Sequence, residues 1–289
     1  MAGGSVRDAL DAAVDALTAA GIDQPRLDAE LLLGEALGRG RAALVADAEA
    51  EVPAPAARRF GEMVRRRLRR EPVAYILGRK GFRRIELAVD RRVLVPRPET
   101  ELLVEVALER RPARVLDVGT GSGAIALALA EELPGCEVTA TDTSPGALEV
   151  ARANAERLGL ADRVRFLAGS VPEGEEFDLV LANLPYVSEG DWPSLQPEVR
   201  EWEPREALLG GPDGLDAIRA LPVRGRAFGR MATGSAATTG AVALEVGEGQ
   251  AGAVAGILAG AGFGSTEVRR DLAGIERVVI GEATAGEEG

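Results

Sequence analysis

From residue 114 onward, short apolar segments alternate with segments of helical pattern, and this alternation constrains the fold more than any other sequence feature. Predicted strands occupy residues 114–118, 137–141, 164–168, 177–182, 242–246, 266–270 and 277–280. Residues 124–132 and 145–158 have helical patterns between the first three of them. Repeated strand–helix units build a mostly parallel sheet with helices on both faces. We therefore predict an α/β fold with a doubly wound, seven-stranded sheet.

The N-terminal part of the chain has a purely helical pattern. Ser5 is a suitable N-cap for a first helix, and Pro25 suits the first turn of a second helix. The segment that follows alternates between short apolar and charged pieces, which predicts a β-hairpin. The sequence thus predicts a small N-terminal helical bundle over residues 1–78, a linking hairpin over 79–96, a sheet domain over 97–282 and a flexible tail over 283–289.

The sequence contains no histidine and only one cysteine, Cys136. Histidine-dependent catalytic triads and histidine-ligated metal sites are therefore excluded. A single cysteine forms no intrachain disulfide and builds no thiolate zinc cluster. We expect no metal site, and we expect the chemistry to rely on carboxylates, amides, backbone groups or a bound cofactor.

The formal net charge of −12 argues against a nucleic acid as the main partner, because proteins that bind nucleic acids usually carry a basic face. A local exception is a cluster of seven arginines in the helical region: Arg58, Arg59, Arg65, Arg66, Arg67, Arg69 and Arg70. One interpretation is a solvated helix face whose arginine stems cover apolar surface. The other is a docking surface for an acidic or RNA-bound partner.

The hydropathy pattern gives no sign of a membrane protein. No apolar run in the sequence approaches the roughly 18 residues that a membrane-spanning helix needs. Residues 1–11 lack the basic and apolar regions of a secretory signal. We expect a cytoplasmic protein that does not contact a membrane.

A glycine-rich turn follows the first predicted strand, and a helix starts directly after it. Glycines allow a tight turn and a close approach of a ligand, while the helix N-terminus offers free N–H groups. Asp142 ends the next strand, where a carboxylate can accept both hydroxyl hydrogens of a ribose. The G-x-G-x-G spacing differs from the G-x-G-x-x-G of dinucleotide sites and favours S-adenosylmethionine, which has no pyrophosphate, over NAD. The candidate cofactor-binding residues are Gly119, Thr120, Gly121, Ser122, Gly123 and Asp142; the alternative is a tight turn with only a structural role.

The fourth predicted strand is followed by the tetrapeptide Asn183, Leu184, Pro185 and Tyr186, at the sheet edge where ligands of doubly wound folds bind. An amide or adenine nitrogen is a poor nucleophile because its lone pair is delocalised. The Asn183 side-chain oxygen and the Leu184 carbonyl oxygen would orient its two hydrogens and stabilise the developing charge. Pro185 stiffens the turn, and Tyr186 can pack against a flat substrate. The motif predicts methyl transfer to a planar NH₂ group; the alternative is a plain strand-ending turn.

With these motifs, the sequence resembles the release factor glutamine methyltransferases, the PrmC/HemK family, over nearly its whole length. The resemblance includes REPVAYILG at residues 70–78, VPRPETE at 95–101, EP, AL and GPDGL between 203 and 215, LEVG and GQ between 244 and 250, and DLAG with Arg277. It implies a Rossmann-like methyltransferase fold with S-adenosylmethionine as cofactor. It also implies methylation of the glutamine side-chain nitrogen in the Gly-Gly-Gln loop of class-1 peptide chain release factors.

The resemblance also implies roles for particular residues. Asn183, Leu184, Pro185 and Tyr186 would hold the substrate glutamine, and Asn183 would also face the cofactor. Ser170 and Val171 would contact the cofactor base, while Arg97 and Glu99 would lie at the mouth of the site. The helical domain would recognise the release factor, and we expect a monomer with no direct nucleic-acid contact.

Two features depart from the family pattern. The family has N-P-P-Y where this chain has Leu184, which keeps the backbone carbonyl but lowers the rigidity of the turn; Asn-Leu-Pro-Tyr also occurs in rRNA adenine dimethyltransferases. Residues 222–240 are rich in small and turn-forming residues where an amphipathic helix is expected, and we hypothesise a local reading-frame change in the gene or its sequence. Two alternatives follow: an N6-adenine methyltransferase acting on rRNA or DNA, and a cofactor-binding protein with impaired turnover.

Overall fold

The computed structural model describes residues 4–172, 175–224 and 240–283. The chain divides into two units. The helical unit comprises Met1–Arg79 and Gln196–Trp202, and the sheet unit comprises Lys80–Leu195 and Glu203–Gly289. Within the described ranges, every helix is too short or too polar to span a membrane.

The predicted order of strands and helices over residues 114–182 is confirmed, and the structure has further helices that the sequence did not predict. The helices are α1 (Val6–Ala19), α2 (Pro25–Leu37), α3 (Arg41–Ala46), α4 (Ala54–Leu68), α5 (Val73–Leu77), α6 (Glu101–Arg110), α7 (Ala124–Glu132), α8 (Pro145–Leu158), α9 (Pro197–Trp202), α10 (Asp216–Arg224) and α11 (Ala251–Gly260). The strands are β1 (Arg79–Phe82), β2 (Ile85–Ala88), β3 (Arg114–Val118), β4 (Glu137–Asp142), β5 (Val164–Ala168), β6 (Leu179–Ala182), β7 (Ala241–Glu245), β8 (Phe263–Arg270) and β9 (Glu276–Ala283).

The first two helices begin where the sequence predicts. The Ser5 hydroxyl accepts a hydrogen bond from the Asp8 N–H at 3.1 Å, and the Asp8 carboxylate accepts one from the Ser5 N–H at 3.0 Å. This reciprocal pair satisfies two N–H groups that the start of a helix leaves without partners. Pro25 is the first residue of α2, where its fixed φ angle suits the helix and its missing N–H costs nothing. Both predictions are confirmed.

The arginine cluster in the helical unit is largely committed to ion pairs. Arg67 is buried, and its guanidinium donates to Asp28 Oδ2 and Glu198 Oε1, both at 2.7 Å. Arg70 donates to the other oxygen of Glu198, and Arg66 pairs with Glu71. Burial alone would raise the pKa of Glu198, but hydrogen bonds from the two arginines hold it below its ordinary value. These arginines therefore stabilise the unit itself, whereas Arg58, Arg65 and Arg69 are exposed.

The sheet unit contains a seven-stranded sheet of order β5-β4-β3-β6-β7-β9-β8. The first five strands pair in parallel, and β9 is antiparallel to both β7 and β8. A separate two-stranded sheet is formed by β1 and β2. The predicted α/β fold is confirmed, including its helical bundle, linking hairpin and seven-stranded sheet. Because chain order reverses between β3 and β6, a ligand crevice is expected beyond the carboxyl ends of these strands.

Several strand boundaries differ from the prediction by one to three residues, and β6 and β8 are two examples. Strand β6 begins at Leu179, two residues later than predicted; directly before it, the Asp178 carboxylate accepts hydrogen bonds from the N–H groups of Ala113 and Arg114 at 2.8 and 2.9 Å. Strand β8 begins at Phe263, three residues earlier than predicted, because pairing with β9 extends through a register shift between Phe263 and Ser265. Neither change moves the residues at the carboxyl edge of the sheet.

Parts of two predicted segments lie outside the described residues. Helix α10 covers Asp216–Arg224, and the description resumes at residue 240 just before β7. Residues 225–239, on which the reading-frame hypothesis mainly rests, are not among those described. The same holds for residues 284–289 of the predicted tail.

Candidate active site

A cavity of about 320 Å³ lies within the sheet unit, beyond the carboxyl ends of β3, β4, β5 and β6. Its volume falls at the lower end of the range of roughly 300–1,000 Å³ that is typical of small-molecule sites. The predicted site residues that line it are Arg97, Gly119, Thr120, Gly121, Ser122, Asp142, Ser170, Asn183, Leu184 and Pro185. Glu99, Gly123, Val171 and Tyr186 are not among the lining residues; Val171 instead packs against the hydrophobic core.

The glycine-rich turn is fixed to the neighbouring strand by backbone hydrogen bonds. The N–H groups of Gly119 and Thr120 both donate to the Thr141 carbonyl oxygen at 2.9 Å. Gly121 has a φ angle of 57°, and a side chain there would meet nothing within 4 Å, so this glycine is required by backbone conformation. A Cβ atom at Gly123 would lie 2.8 Å from the Leu127 side chain. Gly123 therefore permits close packing at the start of α7 instead of facing the cavity.

Asp142 links the turn to the start of α8. Its Oδ2 accepts a hydrogen bond from the Gly121 N–H at 2.9 Å, and its Oδ1 accepts one from the Ser144 N–H at 2.8 Å. Each carboxylate oxygen has a second lone pair. Asp142 is half-buried and lines the cavity, so both oxygens can also accept hydrogen bonds from the hydroxyls of a bound ribose. This donor and acceptor arrangement fits a nucleoside cofactor.

Asp117 supports the turn from beneath. Its carboxyl is fully buried and accepts hydrogen bonds from the Thr120 hydroxyl at 2.6 Å and the Ala126 N–H at 3.2 Å. Burial raises the pKa of Asp117 to about 7, although these two hydrogen bonds lower it. Its Oδ1 has no hydrogen-bond partner among the described residues. Asp117 thus shapes the turn from the core and does not line the cavity.

Asn183 and Leu184 leave β6 at the floor of the cavity. The Asn183 amide nitrogen donates to the Thr100 hydroxyl oxygen at 3.0 Å, which leaves Oδ1 as its acceptor for a ligand. The Leu184 side chain lies over the glycine turn, where a Cβ atom at Gly119 would be 3.5 Å from its Cδ2. The structure therefore brings the proposed amide acceptors and the proposed cofactor turn into one cavity.

Tyr186 lies beyond the cavity lining, in a tightly packed turn. Its carbonyl oxygen accepts a hydrogen bond from the Gln250 side chain at 2.9 Å, and the other end of that amide accepts from the Gly247 N–H at 2.9 Å. Gly214 must lack a side chain, because a Cβ atom there would lie 2.2 Å from the Tyr186 oxygen. Burial raises the pKa of the Tyr186 phenol to about 12. The phenol is therefore neutral over the physiological pH range.

Residues outside the predicted site also shape the cavity and its surroundings. Glu203 is buried, and its carboxylate accepts hydrogen bonds from the Val95 N–H at 2.9 Å and the Arg97 guanidinium at 2.5 Å. This pair holds Arg97 at the cavity. Thr100 lines the cavity, and Glu245 is buried in β7. The sequence feature that could have identified Glu245 is a carboxylate in an otherwise apolar strand.

Asn154 is a further residue that the sequence did not reveal. It is fully buried in α8, and its amide nitrogen donates to the carbonyl oxygens of Ala88 and Ser122 at 3.0 and 2.9 Å. Its Oδ1 accepts from the Ala88 N–H at 2.7 Å. One side chain therefore joins strand β2 to the glycine turn.

Comparison with known protein families gives two matches along the chain. Residues 8–78 match the family described as the PrmC N-terminal domain. Residues 115–202 match the family described as a methyltransferase domain. The two matches follow the same order along the chain as the helical bundle and the sheet domain that the sequence predicts.

Curated relatives match over nearly the full length. The release factor glutamine methyltransferase of Moorella thermoacetica is 43% identical over 284 residues, covering 96% of this chain and 98% of that protein. The protein of the same name from Geobacter sulfurreducens is 41% identical over 282 residues, covering 96% of each. Among solved structures, the hMettl16 catalytic domain in complex with the MAT2A 3′UTR hairpin 6 matches with a TM-score of 0.54 and 14% identity, over 70% of this chain and 77% of that one. At that identity, the likeness shows the fold alone.

Proposed function

Because this chain belongs to the release factor glutamine methyltransferase family, we propose that it methylates the glutamine side-chain nitrogen in the Gly-Gly-Gln loop of class-1 peptide chain release factors, with S-adenosylmethionine as methyl donor. The observation that carries the proposal is the identity of 41–43% over 96% of the chain, which includes the helical part as well as the cofactor core. Methyltransferases that act on many different substrates share the same core. Similarity outside the core is therefore what bears on the identity of the substrate.

The cavity has the groups that the cofactor needs. Bound there, S-adenosylmethionine would supply an electrophilic methyl group on its sulfonium. The turn at Gly119, Thr120, Gly121 and Ser122 would accommodate its amino acid end, and Asp142 would accept hydrogen bonds from its ribose hydroxyls. Ser170, which follows β5 and lines the cavity, would lie beside the base. Gly123 and Val171 would act through packing.

The substrate amide would be held by acceptors at the end of β6. An amide nitrogen carries a delocalised lone pair, so its attack on a methyl group has to be assisted by orientation and by stabilisation of the charge that develops on NH₂. Asn183 Oδ1 and the Leu184 carbonyl oxygen would accept the two N–H hydrogens. Acceptors fixed in advance stabilise that charge without having to reorganise during the reaction.

The remaining predicted site residues would define the entrance. Arg97 lines the cavity and is held by Glu203, so it would present a fixed cation to the backbone of an incoming loop. Glu99 lies two residues further on, and Pro185 and Tyr186 would shape the turn that follows the acceptors. We propose that residues 1–78 recognise the release factor, that 79–96 link the two parts and that 97–282 carry catalysis. We expect the enzyme to act as a monomer on protein and not on nucleic acid.

The test is transfer of labelled methyl from S-adenosylmethionine to purified release factor. A release factor with Gln→Ala in its Gly-Gly-Gln loop and naked rRNA serve as parallel substrates. Label on the wild-type release factor alone is the expected result. Label on RNA with none on protein would overturn the proposal, and absence of all label despite cofactor binding would indicate an enzyme with impaired turnover.

Asn183→Ala tests the role of the acceptor. We expect it to lower kcat by about 100-fold or more, as loss of a preorganised transition-state contact does. Cofactor affinity, measured by calorimetry, should change little. Unchanged turnover would show that Asn183 is not the amide acceptor.

A further inference from the structure

Asn183 and Glu245 lie at the same level of two neighbouring strands, because Asn183 directly follows β6 and Glu245 is the last residue of β7. Ala182 of β6 pairs with Leu244 of β7, so the next residues along the two strands are Asn183 and Glu245. Paired residues of parallel strands direct their side chains to the same face. Thr100 precedes α6, and α6 packs against both β6 and β7. The topology therefore brings these three polar side chains together.

A hydrogen bond joins Asn183 to Thr100, and Thr100 in turn acts on the Glu245 carboxyl. The Asn183 amide nitrogen donates to Thr100 Oγ1 at 3.0 Å, and the Thr100 hydroxyl stabilises the ionised form of the Glu245 carboxyl by hydrogen bonding. An ionised carboxylate accepts hydrogen bonds and donates none. A Thr100 hydroxyl that donates its proton to Glu245 presents its lone pairs to the Asn183 NH₂ group, in agreement with the observed Asn183–Thr100 bond.

We propose that Thr100 and Glu245 are positioning residues that fix the orientation of the Asn183 amide, so that Oδ1 and not the NH₂ group faces the substrate. The inference rests on the proposed function and deepens it. The two ends of an asparagine amide have nearly the same shape, so packing alone discriminates weakly between its two orientations. Only hydrogen-bond direction separates them, and here that direction is set by a carboxylate.

Burial strengthens the control that Thr100 and Glu245 have over the orientation of the Asn183 amide. Thr100 and Glu245 are only 4% and 2% exposed, so water does not readily replace a lost partner. One oxygen of Glu245 has no hydrogen-bond partner among the described residues. No other side chain of that part of the protein therefore holds this oxygen. If Thr100 lost its acceptor, its proton would turn to Asn183 Oδ1. That would reverse the amide and present a donor to the substrate N–H.

The charge state of Glu245 therefore matters. Burial raises its pKa to about 7, against the opposing effect of the Thr100 hydroxyl. Among the charged groups around it, Glu99 raises this pKa, whereas Arg277 and Arg97 lower it; the neighbouring Tyr186 is neutral, because its own pKa is about 12. A protonated Glu245 gains a donor and ceases to fix the direction of the Thr100 proton. The correct Asn183 orientation is thus favoured above about pH 7.

The kinetic test compares Thr100→Val with Thr100→Ser. Valine keeps the shape and removes the hydroxyl, and we expect kcat to fall by about 10- to 100-fold as the buried amide loses its partner. Serine keeps the hydroxyl and should recover most of the wild-type kcat. Cofactor affinity should change less than kcat in both, because the glycine turn and Asp142 stay intact. Equal losses in the two variants, or an unchanged kcat in Thr100→Val, would overturn the proposal.

The pH profile tests Glu245. At saturating cofactor, wild-type kcat should rise through about pH 7, and Glu245→Gln should remove that step because its side chain does not titrate. A step of unchanged size in Glu245→Gln would overturn the role assigned to the carboxylate. Saturation removes effects of Asp117 on cofactor affinity, since its pKa is also about 7 and it supports the cofactor turn. Any effect of Asp117 on kcat itself would remain in Glu245→Gln, so the step that this variant loses belongs to Glu245.

A spectroscopic readout separates this inference from the proposed function. The chain contains only two asparagines, Asn154 and Asn183, so protein labelled with ¹⁵N-asparagine gives two side-chain NH₂ signals. In Thr100→Val the Asn183 signals should shift, with faster hydrogen exchange, while those of Asn154 stay in place and report an intact fold. Unmoved Asn183 signals would overturn the inference even if release factor is methylated. Failure of wild-type methyl transfer, with the Asn183 shift present, would instead reject the proposed function.

Discussion

The Gly121 N–H donates to Asp142 Oδ2 at 2.9 Å, so the carboxylate proposed to hold the cofactor ribose also fixes the turn beside it. The other carboxylate oxygen accepts from the Ser144 N–H at the start of α8. Two backbone donors from different parts of the chain thus converge on one side chain. Such a carboxylate is preorganised, because it does not have to move when the ligand arrives.

Asp142→Asn should weaken cofactor binding by about 10- to 100-fold, because the amide NH₂ group must then face one of these two N–H donors. Calorimetric titration with S-adenosylmethionine measures the effect. Asp162→Asn, which replaces an exposed carboxylate in the same unit, is the control and should leave the affinity unchanged. An unaltered Kd in Asp142→Asn would contradict the assigned contact.

Leu184→Pro should keep kcat within about threefold of wild type, because the acceptor at this position is a backbone carbonyl that proline also has. Leu184→Ala is the matched variant that removes the same side chain from above Gly119 without stiffening the turn. Steady-state methylation of release factor measures both. A gain well beyond tenfold in the proline variant alone would show that leucine limits the natural enzyme through turn flexibility.

Asn154→Ala should lower the free energy of unfolding by about 2–4 kcal/mol, because it leaves backbone groups of Ala88 and Ser122 buried without their partners. Glu156→Ala, at an exposed position of the same helix, should change it by less than about 0.5 kcal/mol. Urea denaturation measures both. A similar small change in the two variants would show that the Asn154 hydrogen bonds do not support the fold.

Glu245 should make stability depend on pH. Its pKa rises from 4.5 to about 7 on folding, so between these values the folded state holds a proton that the unfolded state has lost. Its contribution to stability is therefore fully present below about pH 4.5 and is lost as pH rises through about 7. Glu245→Gln should remove up to about 1.4 kcal/mol per pH unit of the downward slope between these limits.

Denaturation of the wild-type protein and of Glu245→Gln at several pH values checks the predicted pH dependence, since all other groups titrate alike in both. The stability difference should grow in favour of Glu245→Gln as pH rises from 5 to 7, and it should stay constant at higher pH. A constant difference across the whole range would show that the buried carboxyl does not titrate near neutrality.

The sequence predicted the sheet because strand–helix alternation is a local pattern that directly determines a parallel topology. It predicted the location of Asn183 and Asp142 for the same reason, since Asn183 directly follows β6 and Asp142 ends β4. It did not reveal the partner of Asn183, because Thr100 is 83 residues away and is brought there by the packing of α6. The Glu203–Val95 contact likewise joins residues 108 positions apart. Such pairs depend on tertiary packing, which short-range pattern does not encode.

The helical unit also includes residues that no local pattern assigned to it. Gln196–Trp202 belongs to it, although the chain on either side belongs to the sheet unit. Glu198 in this segment pairs with Arg67 and Arg70, so a chimaera that takes residues 1–79 from a relative would bring foreign partners to this carboxylate. The unit is therefore encoded as two separated stretches of the gene. Recombination that exchanges only the first stretch would break a buried charge network. The boundary between the two units therefore cannot be marked at one point of the sequence.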